Sequence, residues 1–173
     1  MKKYELTNET KVMFGCTLHR IRARISFITY DGNEIHAGDL GGWVENESNL
    51  EQDGNARVYG NARVSGNARV YGNALVSGDA WVYGDARVSG NARVFRTDHI
   101  LVIGPVGSQA AYATFFRVNN REIWASCGRF LGSLDVFLQT KTHEDNKHAR
   151  VYRAAVELAK TCIDLDADEP ENE

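Results

Sequence analysis

The residues of this chain that could do chemistry are one cysteine with two downstream histidines, a Gly-Pro-Val-Gly-Ser run, two further histidines and a periodic set of arginines. Cys127 with His143 or His148 has the make-up of a thiol–imidazole nucleophile, in which the imidazole raises the thiolate fraction. Nothing in their spacing forces them together, so a buried structural cysteine is the preferred reading. Gly104-Pro105-Val106-Gly107-Ser108 could cradle an anion with its backbone amides, with Arg117 and Arg129 as charge partners. The run lacks the lysine of a phosphate-binding loop, and a strand-ending turn is the simpler account, yet any small-ligand site is expected here. His36 and His99 could act as general bases, although a polar residue at a strand end explains each of them more simply. Asp164-x-Asp166-x-Asp168 has calcium-loop spacing without the turn glycine or the distant glutamate, and reads as part of a solvated tail. No cofactor is implied, and no metal.

The elements that must position these groups are dominated by a valine at every sixth residue, from Val58 to Val94. Ala56-Arg57-Val58 alternates small, charged and β-branched, which puts Ala and Val on a buried face and Arg outside. Gly60-Asn61 then supplies a turn, and the next triplet begins. Such repeats cannot fold alone and must stack. Three hexads per triangular coil make residues eighteen apart vertical neighbours in parallel strands, roughly 4.8 Å apart. Gly42-Trp43-Val44 and Ser48-Asn49-Leu50 extend the pattern backwards, with two extra residues near Gln52-Asp53. The expected fold is mainly β, a short left-handed parallel β-helix of about three coils. An N-terminal β cap and a small C-terminal α+β domain close its ends.

Charge tests the arginines. Residues 54–96 carry six Arg against Asp79 and Asp85, whereas the flanking segments are acidic and the whole chain has a net charge of −3. A ladder of guanidinia could receive phosphate or carboxylate groups. The eighteen-residue register stacks Arg69 on Arg87, but places Leu75 between Arg57 and Arg93, and Trp81 after Arg63. The ladder is broken on two sides of three, and nucleic-acid binding is not expected. Tyr59, Tyr71, Leu75, Trp81 and Tyr83 fall at outward or corner positions. An exposed apolar patch with Arg at its rim suits an interface, so a homo-oligomer, trimer or dimer, is expected ahead of a foreign partner or packing against the flanking segments.

The remainder divides into residues 1–41, an N-terminal strand cap; 42–97, the β-helix; 98–163, three strands and two helices; and 164–173, an acidic tail expected to be disordered. Cys16, Cys127 and Cys162 are too scattered for disulfides or a metal site. No apolar run approaches a membrane span, and Met1-Lys2-Lys3-Tyr4-Glu5 is not followed by a signal-peptide core. A cytoplasmic protein away from the membrane is expected.

The strings Leu18-His19-Arg20-Ile21-Arg22-Ala23, Ile35 to Val44 (Ile-His-Ala-Gly-Asp-Leu-Gly-Gly-Trp-Val) and Asn49 to Ala56 resemble the start of a hexapeptide-repeat family common in phages, prophages and bacteria. Its members are often labelled acetyltransferases or polymer-forming proteins on repeat similarity. Ile103-Gly-Pro-Val-Gly-Ser108, Thr114-Phe-Phe-Arg117 and Cys127-Gly-Arg-Phe-Leu-Gly132 are similar to a C-terminal module of phage proteins. The resemblance implies residence in a host cytoplasm and a host macromolecule or signalling ligand as target, as for an inhibitor of antiviral defence. Hexapeptide acyltransferases use a histidine base beside a groove between subunits, with a CoA donor along the coils. The central hexads here hold no histidine and no long loop, so a non-catalytic binding protein is the preferred expectation and an acyltransferase the alternative.

Overall fold

The computed structural model describes residues 2–143 and 146–168. Two long strands open the chain, β1 (Tyr4–Met13) and β2 (Cys16–Ala23), followed by the short hairpin β3 (Phe27–Ile28) and β4 (Glu34–Ile35) and by β5 (Leu40–Val44). Seven two-residue strands then recur every six residues: β6 (Arg57–Val58), β7 (Arg63–Val64), β8 (Arg69–Val70), β9 (Leu75–Val76), β10 (Trp81–Val82), β11 (Arg87–Val88) and β12 (Arg93–Val94). Residues eighteen apart pair in parallel: Arg63 with Trp81, Arg69 with Arg87, and Leu75 with both Arg57 and Arg93 across the two steps. The result is a β-solenoid with three outer faces.

The physical logic of one hexad is visible throughout. The Ala and Val of every hexad from Ala56 to Val94 are at most 1% exposed, so the interior is a column of small and β-branched side chains. At each corner a glycine turns with φ between +56° and +69°, which an L side chain adopts only at a cost. Asparagines stack outside the turns: Asn55 Nδ2 donates to Asn73 Oδ1 at 3.0 Å, and Asn73 Nδ2 to Asn91 Oδ1 at 3.3 Å.

The two inserted residues are real and have a use. Trp43 pairs with Arg63 and Leu50 bridges to Val70, each two residues beyond the eighteen-residue step. In the insertion, Gln52 Oε1 accepts from the backbone N–H groups of Lys3 (2.9 Å) and Tyr4 (2.8 Å), which fastens the start of β1 to the solenoid. β1 and β2 form an antiparallel hairpin that continues through β5, β7 and β10 as one five-stranded sheet.

The C-terminal part holds four antiparallel strands, not the three expected: β13 (Ile100–Val106), β14 (Ala111–Arg117), β15 (Ile123–Cys127) and β16 (Phe130–Ser133), then α1 (Leu134–Lys141) and α2 (Lys147–Cys162). The missed strand is short and contains Gly132, which carries no strand signal. Period-two alternation makes this sheet two-sided. Phe116, Val118 and Trp124 seal the solenoid core, while Phe115, Ala125 and Cys127 pack on the helices with Phe137, Tyr152 and Val156. Arg87 N donates to Thr114 Oγ1 at 3.0 Å and Ala92 bridges to Val118, so the last level of the solenoid is capped.

The beginning of the expected free tail is docked. Asp164 N donates to Asp98 O, Arg117 Nη2 to Ala167 O at 3.1 Å, and Arg121 pairs with Asp168 at 2.6 Å. Asp166 and Asp168 nonetheless keep exposed carboxylates; residues 169–173 lie outside the described residues. No helix among the described residues is long and apolar enough to cross a membrane.

Candidate functional site

The three solenoid faces are unequal. On the face built by β5, β7 and β10, the β1–β2 hairpin reaches across: Lys11 Nζ sits 4.1 Å from the Trp43 ring centroid, Phe14 stacks on Trp81 at 4.9 Å, and Trp81 leans on Tyr83. Arg63 lies beneath, donating to Asp79 O at 2.9 Å. On the face of β6, β9 and β12, Leu75 is only 6% exposed and Arg93 only 7%. Arg93 donates to Asn73 O and Ala92 O; burial raises the Asp31 carboxyl in the β3–β4 turn, but hydrogen bonds from Thr29, its own backbone and Asn33, and last the Arg93 charge, hold it below its ordinary value. Arg57 covers the Tyr59 ring at 4.2 Å. The expected exposed patch of Leu75 and Trp81 is therefore corrected: Trp81 is half-buried under Phe14 of the N-terminal hairpin, and Leu75, on the neighbouring face, is buried between its strand partners Arg57 and Arg93. Tyr83 stays exposed. The third face, β8 and β11, is open. Arg69 and Arg87 are exposed there and Tyr71 is half-buried.

The C-terminal domain carries a cleft of about 400 Å³. Its walls include Ser108 and Gln109 from the β13–β14 turn, Cys127 and Gly128 from the end of β15, Lys141 at the end of α1 with His143 beyond it, and Asn146, His148 and Tyr152 at the start of α2. Asn146 caps α2, its Oδ1 accepting from the N–H groups of His148 and Ala149. Tyr152 and the Cys127 thiol line the same floor, and burial first, then that thiol, pushes the phenol up to about 12. The phenol therefore stays a neutral hydrogen-bonding group. Gly107 (φ +74°) passes directly beneath the Tyr152 hydroxyl, where a β carbon would strike it; here the glycine is a requirement of close approach.

The expected candidates are partly brought together. Ser108, Cys127, His143 and His148 do meet around one cleft, with Gly107 against its floor. Cys127, however, is engaged with Tyr152, and His143 Nδ1 lies 3.2 Å from Thr140 O. Gly104 packs against the Tyr112 ring, outside that cleft's lining, and Arg129 is exposed. Arg117 is not a partner of the Gly-Pro-Val-Gly-Ser run: it is 2% exposed, with its guanidinium 4.8 Å from the Phe95 ring centroid. Its place in β14 has the parity of Phe115, on the helix side of the sheet, and its long stem carries the guanidinium to Phe95 and to Ala167 O at the junction. His99 is fully buried, its Nδ1 accepting from Phe95 N at 3.4 Å, and burial followed by the Arg117 charge lowers it to about 4. A sealed neutral imidazole cannot reach a substrate. His36 is exposed beside Asp39 at 3.8 Å. Sequence reasoning missed Lys141, Asn146 and Tyr152. Asn146 carried a readable signal, a capping residue directly before a helical run.

A family model described as the YdcK β-solenoid repeat matches residues 56–70, 68–84 and 86–97. The chain is similar to that repeat over its hexads. No curated protein matches the chain.

Proposed function

We propose that the protein is a non-catalytic binding protein, phage- or prophage-encoded, in which the solenoid is a rigid mount and the α+β domain recognises the ligand. The carrying observation is the 400 Å³ cleft, a volume suited to a small molecule. Its described lining offers hydroxyl, amide, imidazole and ammonium groups over a buried Cys127–Tyr152 floor. The ligand class assigned to it is a small signalling molecule of a host antiviral defence, sequestered and not turned over. The phage origin rests on the resemblance of the segments before and after the repeat. The eighteen-residue register and the Ala-x-Val triplets support a left-handed winding of about three coils, whose hand an electron-density map decides.

The test is mass spectrometry of small molecules released from the purified protein, beside thermal shifts with a panel of cyclic and linear nucleotides. A ligand retained unchanged by the wild type and lost from His148→Ala supports the reading. A protein that retains nothing and shifts with nothing counts against it, and a ligand chemically altered on incubation removes the word non-catalytic.

A further inference from the structure

Most arginines of the solenoid strands have an evident occupation. Arg57 lies on Tyr59, Arg63 donates to Asp79 O, and Arg93 donates to two backbone carbonyls. Arg69 and Arg87 differ. They are direct partners in parallel register, both are exposed, and among the described residues neither guanidinium has an ion pair or a hydrogen bond. Like charges directly opposite on adjacent strands are destabilising, so their juxtaposition asks for a counter-charge from outside the chain.

The surroundings are shaped for one. Arg69, Arg87, Tyr71, Val70, Ser48 and Glu51 line a cavity of about 270 Å³ on the open face. Glu51, the carboxylate in that lining, is drawn off by Gly72 N–H, which donates to its Oε2 at 2.7 Å. Asp85, which lines a neighbouring cavity with Arg87, accepts from Asn67 Nδ2 at 3.1 Å. Arg69 and Arg87 stand on adjacent strands about 4.8 Å apart and both line this cavity, and a pair of guanidinium forks matches a phosphate, whose oxygens accept paired N–H donors. Tyr71 adds an aromatic face and a hydroxyl at the rim.

We infer that Arg69 and Arg87 form a phosphate-binding site on the open face of the solenoid, separate from the cleft of the C-terminal domain. The test is calorimetric titration of the full chain with inorganic pyrophosphate at low ionic strength. Arg69→Gln or Arg87→Gln should weaken binding by about tenfold, while Arg22→Gln, which removes equal charge from β2, leaves it in place. No binding to the wild type, or equal binding by the Arg69→Gln/Arg87→Gln double variant, overturns the assignment. A nucleoside diphosphate that binds no better than pyrophosphate gives the site to phosphate alone; tighter binding, lost in Tyr71→Ala, adds a base stacked on Tyr71. His148→Ala probes only the cleft, so failure of one site leaves the other standing or falling by itself.

Discussion

The solenoid and the α+β domain solve the problem of presenting a surface in opposite ways. In the solenoid, inward and outward positions are independent: Ala and Val build the interior at every level, while the residue between them is Arg, Leu or Trp without changing the strand. In the α+β domain the core and the cleft share residues. Phe137 sits edge-on to Phe115, Phe130 and Tyr152 at centroid distances of 5.2 to 5.6 Å, and Tyr152 also floors the cleft. A periodic core separates stability from recognition, and an aromatic core joins them.

The largest effect expected from this difference is at Phe137, which is fully buried. Phe137→Ala should cost about 3–5 kcal/mol and abolish ligand retention by the cleft. Because the solenoid has its own core, pyrophosphate binding at Arg69 and Arg87 should survive. Chemical denaturation followed by tryptophan fluorescence, beside calorimetry on the same variant, measures both. Loss of both sites together would show that the two regions fold as one unit and break the comparison.

Their junction gives the next effect. His99 is neutral in the folded protein, lowered to about 4 from an ordinary value of 6.5 by burial and by Arg117, with Asp98, Arg96 and Asp164 also nearby. A depressed histidine contributes its stability fully above the unfolded value. That contribution is lost as pH falls below about 6.5 towards 4, by about 3 kcal/mol in all. His99→Asn should flatten unfolding free energy against pH in that window, while the carboxylates that titrate there are common to both proteins. Parallel curves for the two proteins would refute the assignment and leave the junction without a titrating group.

The same contrast explains what could be read from the residues beforehand. The hexads were legible because each position has one environment repeated seven times, so Ala56-Arg57-Val58 suffices to place them all, and the register that stacks Arg69 on Arg87 follows by counting. The hairpin lying over Trp81 was not legible: Phe14 packs there through a tertiary contact across a turn, and local periodicity carries no trace of it. In the α+β domain the strands and helices were visible, but the cleft depends on a turn, a strand end and two helix ends meeting. Only Ser108 and the Cys127–histidine set hinted at it; nothing in the local pattern singles out Tyr152.

The smallest effect separates the solenoid's own faces. Arg63→Gln loses a 2.9 Å hydrogen bond to Asp79 O and the cover it gives Trp81, and should destabilise by about 1 kcal/mol. Arg69→Gln loses no partner among the described residues and relieves repulsion from Arg87 across the strand pair. It should be neutral or stabilising by a few tenths of a kcal/mol, more at low salt than at high because exposed charges are screened. Thermal melts of the two variants at two salt concentrations read the difference. An open-face arginine as costly as the covered one would mean that Arg69 serves the fold, and the separation of stability from recognition in the solenoid would fail at the position where it matters most.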